Sequence, residues 1–257
     1  MFLNIYPLII GKAYSSKDLG YYNKANDYAK LPSVTVQDVI QQVTYPILSS
    51  IQNDDTQLSS AYRRLIRMSG FIVFPLMFGL ASIAEPLIIV LLTEKWINSI
   101  SLLQILCFAH IFLPIQALNL NILYVKGRSD IVLRIELITK LTLLIFLILT
   151  VPLGIKWMCI AYVIYHVLSL FIDMHYASKF IDMRVSRQLY DLAPSFFLAS
   201  FMAIIVVVVI NFIDSLYLKL FIGLAVGAVV YLFAAFIFHL PELGYSIELI
   251  KSLFTRK

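Results

Sequence analysis

Charge is what this sequence has least of. Its 20 Lys/Arg and 15 Asp/Glu make up 14% of 257 residues, against about 25% in a soluble domain. The shortfall is filled by apolar side chains, at 61% with a mean hydropathy of +0.88; soluble domains run at about 45–50%. One soluble core of this length could not bury that much apolar surface, whereas a bilayer can. Cysteine is nearly absent too. Cys107 and Cys159 each sit in an apolar run, without a CxxC partner or a histidine at metal-ligand spacing, so they read as buried free thiols. No GxSxG, HExxH or P-loop pattern occurs. The polar connections are short, which leaves no room for a catalytic domain, and nothing calls for a cofactor. A net charge of +5 could serve nucleic-acid binding, but no basic stripe is interleaved with surface aromatics.

What is present is a series of long apolar runs. Residues 2–10 are too short to span, since a span needs about 20 residues. They lack a basic start and a cleavage site, and read as the tail of a helix whose beginning lies outside the chain. On that expectation the chain is a fragment, or Met1 is not the true start. Spans are then expected at Leu31–Ile51, Met68–Leu92, Ile100–Val125, Ile131–Val151, Trp157–Lys179, Leu192–Ile213 and Leu216–His239. In hydrocarbon only helices or closed barrels satisfy the backbone. Unbroken runs of this length argue for helices, because barrel strands alternate over about ten residues. The expected fold class is all-α, a polytopic membrane helix bundle. Pro75, Pro86 and Pro114 lie in or near spans and are expected to mark kinks.

Alternate loops differ in basic charge. One set holds Arg63, Arg64, Arg67, Lys126, Arg128, Arg134, Lys179, Arg184, Arg187, Lys251, Arg256 and Lys257. The other holds Lys12, Lys17, Lys24, Lys30, Lys95, Lys156 and Lys219, so the count is twelve against seven, with Lys140 inside a span. The positive-inside rule puts the first set, and with it the C-terminus, in the cytoplasm. The lysine-rich 12–30 segment, read as an outer loop, dissents. Trp96 and Trp157 fall at the outer interface, where aromatic anchors are expected.

Four stretches carry a family resemblance. They are Ile10-Gly11-Lys12-Ala13-Tyr14-Ser15 with Leu19-Gly20-Tyr21-Tyr22-Asn23-Lys24-Ala25; Tyr45-Pro46-Ile47-Leu48-Ser49-Ser50-Ile51-Gln52-Asn53-Asp54; Phe74-Pro75-Leu76-Met77-Phe78-Gly79-Leu80 with Ala84-Glu85-Pro86-Leu87-Ile88 and Glu94-Lys95-Trp96; and Lys126-Gly127-Arg128-Ser129-Asp130. In this order the sequence resembles the polysaccharide-transport branch of the MOP flippases, the Wzx-type proteins, over residues 10–134. The resemblance implies two pseudo-symmetric six-helix lobes, often followed by two extra helices. On that template residues 1–180 are the C-terminal lobe, from the end of helix seven to helix twelve. Residues 181–241 are the two additional transmembrane helices, and 242–257 a cytoplasmic tail. The N-terminal lobe would be missing.

Polar residues inside spans are costly and usually face a bundle interior or a wet cavity. Asp38, Gln41, Gln42 and Tyr45 fall at i, i+3, i+4 and i+7, one face of a helix, with Gln37 beside them. Either they wall a hydrophilic cavity, contacting sugar hydroxyls or a pyrophosphate through groups that donate and accept, or they are hydrogen-bond glue between helices. The resemblance favours the cavity, since helices seven and eight line it, and adds Lys12. Tyr162, His166, Ser169 and Asp173 share another face, readable as a proton relay or as an interhelical ladder. Glu136 and Lys140 form an i, i+4 pair, either self-neutralised or binding a pyrophosphate. Glu85 is expected to be structural or gating, and His110, Gln116 and Asn119 to be packing contacts.

The resemblance implies a flippase, not an enzyme. It would move an undecaprenyl-diphosphate-linked oligosaccharide across the bacterial inner membrane by alternating access, for O-antigen, exopolysaccharide or teichuronic acid synthesis. Its partners would be membrane lipids, the N-terminal lobe and glycan polymerase machinery. Three alternatives stand beside it. One is a MATE-type exporter of cationic drugs, which should carry more deep acidic residues. Another is a membrane glycan polymerase or ligase, which should carry a large outer loop. The last is an inactive half-protein that needs a partner lobe.

Overall fold

A computed structural model describes residues 5–181 and 183–245. The expected start at Met1, most of the 242–257 tail, and its Lys251, Arg256 and Lys257 lie outside the described residues. Within them the chain is all helix: α1 Ile5–Ala13, α2 Ser16–Ser50, α3 Asp55–Ser82, α4 Ala84–Leu92, α5 Asn98–His110, α6 Leu113–Val125, α7 Ser129–Thr150, α8 Ile155–Ser178, α9 Val185–Asn211 and α10 Leu216–Ile237. Five stretches are long and apolar enough to cross a membrane: Asp55–Ser82, Asn98–Val125, Ile155–Ser178, Val185–Asn211 and Leu216–Ile237. This is a multi-pass membrane protein. The 35 residues of α2 and 22 of α7 also have the length. Both are more polar, α2 through its amides and α7 through Asp130, Arg134, Glu136 and Lys140.

The expected helices are found, with one substantive correction. Residues 12–30 are not a loop. Lys12 closes α1, and Lys17, Lys24 and Lys30 lie in the first half of α2. Ser15 caps α2, its hydroxyl accepting from the Asp18 amide at 3.1 Å and donating to the Asp18 carboxylate at 2.7 Å. Hydropathy marks where a helix meets hydrocarbon, not where it begins, so a polar first half was invisible to it. For the same reason Arg63, Arg64 and Arg67 stand inside α3 and Arg134 inside α7, not in loops. Breaks at Ile83 and at Ile111–Phe112 precede Pro86 and Pro114 respectively, while α3 runs unbroken through Pro75. Gly127 and Gly154 take φ of +68° and +107° at the turns before α7 and α8, where a side chain would be strained.

The two ends of the bundle carry different charges. At one end Arg63 forms a two-point pair with Asp191 at 2.8 Å, Arg67 pairs with Glu242 at 3.2 Å and Lys126 with Asp55 at 2.7 Å. The Arg64 guanidinium lies 3.9 Å over the Tyr245 ring. We call this the arginine end. At the opposite, lysine end the Tyr14 hydroxyl donates to the Val151 carbonyl, and Tyr21 meets Trp96 edge-on. α9 lies along α3, α10 packs on α9 and α4, and α2 packs on α1, α3, α5 and α6. Both Cys107 and Cys159 are buried free thiols.

Candidate functional site

Two populations of polar side chains result; the first finds protein partners for many of its groups, though Tyr6 Oη, Ser99 Oγ and Asn121 Nδ2 are buried without one among the described residues. The first is interior. The Tyr62 hydroxyl lies 2.8 Å from both Asn119 Oδ1 and Gln188 Oε1, tying α3 to α6 and α9. Gln116 donates to the His166 carbonyl at 3.1 Å while its Oε1 meets His166 Nδ1 at 3.3 Å. His110 Nε2 meets Asn26 Oδ1 at 3.0 Å, and Ser33 donates to the His110 carbonyl. These contacts stitch the α5–α6 break to α2 and α8. His110, Gln116 and Asn119 are therefore contacts between helices, as expected. His166, Ser169 and Asp173 are buried on one face of α8, with His166 held by α6 as a ladder would hold it. Lys140 donates to Glu136 at 2.6 Å within α7. Glu85 is exposed on α4.

The second population is the outward face of α2. Its inward face is Tyr22, Ala25, Ala29, Ser33, Thr44 and Leu48, all buried. On the opposite side Asp38, Gln41, Gln42 and Tyr45 are exposed, and Gln37 is half-buried at the shoulder. None of the five makes a side-chain hydrogen bond among the described residues. Because α2 begins at Ser16, the stripe continues where the sequence showed a loop. Lys24, Asp27, Thr35, Asp38, Gln41 and Tyr45 recur at helical spacing, all exposed, with Lys30 and Gln42 alongside. Leu31, also exposed, interrupts this path and Val39 and Val43 are exposed along its edge, and the Thr35 hydroxyl donates to the Leu31 carbonyl at 2.9 Å. From Lys24 to Tyr45 the face runs ~32 Å at 1.5 Å per residue, about the hydrocarbon thickness.

The stripe is graded. Its lysine-end half carries Lys24 and Lys30 around Asp27, and its arginine-end half carries amides, Asp38 and Tyr45. Lys12 is exposed at the end of α1. It stands near the start of α2, ~32 Å of helix from Gln37, so the structure separates it from the amides it was grouped with. Lys24, Asp27 and Lys30 escaped the sequence reading for want of the right helix start. The capping pair Ser15 and Asp18 was the signal that could have given it.

Grooves on the rest of the surface are apolar. One of about 490 Å³ is lined by Pro32, Pro75, Leu76, Leu80, Met202 and Leu232 among others, and one of about 300 Å³ by Phe74, Phe112, Phe196 and neighbours. Neither contains the polar residues of the stripe. Among the described residues no cluster of three or more His, Cys, Asp or Glu could hold a metal.

With this geometry in place, comparison with known proteins is informative. Residues 1–101 match a family described as polysaccharide biosynthesis protein. The chain is 26% identical over 128 residues to the teichuronic acid biosynthesis protein TuaB of Bacillus subtilis (strain 168), covering 50% of this chain and 26% of that one. It is 27% identical over 128 residues to the lipopolysaccharide biosynthesis protein WzxC of Escherichia coli (strain K12), with the same coverage. A solved structure of the lipid II flippase MurJ, in an inward closed conformation, superposes with a TM-score of 0.66 at 18% identity. It covers 86% of this chain and 47% of that one. The aligned segment thus spans about a quarter of the curated relatives, and the chain about half of the solved flippase. The resemblance read from the sequence is matched by these similarities to polysaccharide biosynthesis proteins, and the chain shares its fold with about half of the solved structure.

Proposed function

We propose that this chain is the C-terminal lobe of a flippase carrying an undecaprenyl-diphosphate-linked oligosaccharide across the bacterial inner membrane for surface polysaccharide assembly. In this reading α1–α8 are the lobe and α9–α10 the added pair. The arginine end, richer in basic residues, faces the cytoplasm, and so does the chain beyond α10. A second lobe supplies the opposite wall of the path, and a glycan polymerase consumes what is delivered.

The outward face of α2 carries the proposal. A carboxylate at the centre of a lipid-facing helix costs about 2.5–3.5 kcal/mol on insertion scales, and each unsatisfied amide adds to that. A polar stripe ~32 Å long is therefore tolerable only against water or a polar ligand. A lipid-linked glycan needs that surface, because its diphosphate and hydroxyls cannot cross hydrocarbon bare. Lys24 and Lys30 suit a diphosphate as point charges, and glutamines suit hydroxyls because they donate and accept. The isoprenoid tail stays in the bilayer, where the apolar grooves face. Alternating access then needs only that the two lobes rock about this sheltered path.

The test is genetic and biochemical. Deleting the gene should abolish the surface polymer and pile up lipid-linked repeat units on the inner leaflet. Normal surface glycan without accumulation would sink the proposal. A cation exporter is disfavoured by the same face, which pairs its one deep carboxylate, Asp38, with amides.

A further inference from the structure

From Leu31 to Ser50 the helix α2 holds a single charged residue, Asp38. Around it on the exposed face stand Gln41, Gln42 and Tyr45, with Gln37 at the shoulder. Among the described residues, no Lys or Arg forms a salt bridge with Asp38. α2 packs on α1, α3, α5 and α6, and the basic groups of those elements at the arginine end are engaged elsewhere. Arg63 is held by Asp191, Arg67 by Glu242, Lys126 by Asp55, and Arg64 by the Tyr245 ring. The lysines of α2 itself stop at Lys30, ~12 Å short of Asp38 along the axis.

We propose that this half of the α2 face is a glycan subsite selective for uncharged sugars, with Asp38 as the residue that rejects acidic ones. The inference rests on the flippase reading above and adds the substrate class to it. Amides bind hydroxyl and acetamido groups at little desolvation cost, because both partners donate and accept. The Tyr45 ring offers an apolar face with a polar tip, which fits the C–H face of a pyranose. A uronic acid or other carboxylated sugar brought to the same place would meet the Asp38 carboxylate, which has no ion-pair partner among the described residues. Like charges a few ångströms apart at a partly wet surface repel enough to change a binding ratio by on the order of tenfold. The face thus discriminates by a repulsive element, set among contacts that serve any neutral sugar.

The experiment uses membrane vesicles from cells producing the protein, with vesicles from the deletion strain as baseline. Two probes are supplied: undecaprenyl-diphosphate trisaccharides of equal length, one neutral and one with a single glucuronate. Gene-dependent delivery to the far leaflet should favour the neutral probe by about tenfold. D38N should raise the acidic-to-neutral ratio several-fold, and Q42K, which adds a cation on the same face, should move it the same way. Both positions are exposed, so neither change disturbs the core. If both probes are delivered and neither variant shifts the ratio, the subsite fails while the flippase reading stands. If the wild type prefers the acidic probe, the subsite likewise fails. If D38N, Q42K and Q41A depress both probes equally, the face is a contact to the second lobe and the proposal is overturned. If neither probe is delivered above baseline, the flippase reading falls and takes the subsite with it.

Discussion

Two glycines one turn apart on α10 should respond oppositely to the same substitution. A Cβ built on Gly223 would lie 2.8 Å from Ile83 Cγ2 and 3.3 Å from Ile210 Cγ2; on Gly227 it would lie 3.5 Å from Val206 Cγ2 and 3.8 Å from Met202 Sδ. The first is an overlap and the second an ordinary contact. Ile83 Cγ2 hangs directly on a β-branched carbon with a stiff χ1, and Ile83 is the residue at which α3 breaks into α4, so the backbone itself must give way. Overpacking of this kind costs about 1–3 kcal/mol. Removing a helical glycine returns about 1 kcal/mol. Gly223→Ala should therefore lose up to about 2 kcal/mol net, while Gly227→Ala should gain up to about 1 kcal/mol. Thermal unfolding of both variants in mild detergent, followed by circular dichroism, gives the comparison. A Gly223 variant as stable as the Gly227 variant would refute the α10–α4 packing on which the argument stands.

Four further outcomes follow from the interior contacts, a helix cap and the missing wall. Tyr62→Phe leaves the Asn119 and Gln188 carbonyls facing an apolar ring edge, and should cost about 1–3 kcal/mol in the same unfolding assay; no loss would mean that the α3–α6–α9 knot is not formed. Asp191→Asn breaks the two-point pair with Arg63, which is itself a third exposed, so the loss should fall between surface and buried values, about 1–3 kcal/mol, and Arg63→Gln in the same chain should recover part of it. Asp54 accepts from the Thr56 and Gln57 amides at the start of α3, and its bonds to these two residues hold its carboxyl below the usual carboxylate range. Its capping is thus complete above that range and is lost as pH falls through the lowered value. Protection factors of the Thr56 and Gln57 amides, taken relative to the intrinsic exchange rate at each pH, should fall on acidification in the wild type and be low at all pH in D54A. Proteoliposomes holding only this chain should not move a lipid-linked glycan, because the α2 face has no opposite wall; measurable delivery would refute the two-lobe requirement.

How far the sequence carried depends on what each helix has to say in hydropathy. The apolar runs of α8 and α10 declared themselves within a few residues, because their polar flanks coincide with their ends, whereas α9 begins at Val185, seven residues before the expected Leu192, through Ser186, Arg187, Gln188 and Asp191. The breaks near Pro86 and Pro114 were legible through the missing amide. α2 was half hidden. Its Tyr, Asn, Asp and Lys residues between Ser16 and Lys30 carry no long apolar run, and an amphipathic helix whose polar side faces water looks like a loop to any hydropathy window. The stripe Asp38–Tyr45 was visible by spacing alone, but its continuation through Lys24 and Asp27 needed the true start of the helix. Partners such as Asp191 for Arg63 were illegible for a different reason: they are more than a hundred residues apart, and only the packing of α9 along α3 brings them together.

The contrast between satisfied and unsatisfied polar groups is what separates function from architecture here. A membrane protein rarely leaves amides and hydroxyls bare in hydrocarbon, and the interior of this chain pairs many of them, although Tyr6 Oη, Ser99 Oγ and Asn121 Nδ2 are buried without a hydrogen-bond partner among the described residues. Tyr62, Gln116, Asn119, Gln188, His110 and His166 all reach a protein group. Had Asp38, Gln41 and Gln42 been there for architecture, the same chain would have turned them inward to such a partner, since α5 and α6 lie directly behind them. Instead the inward positions went to Ala25, Ala29, Ser33 and Thr44, small enough to bring the helices close, and the amides were placed where no described side chain of this chain meets them. Among the described residues they find no hydrogen-bond partner, which is what the proposed flippase path draws on. The exposed side of α2 thus combines a polar stripe ~32 Å long with the exposed apolar side chains Leu31, Val39 and Val43, so a partner lying along it would need a polar face with apolar flanks.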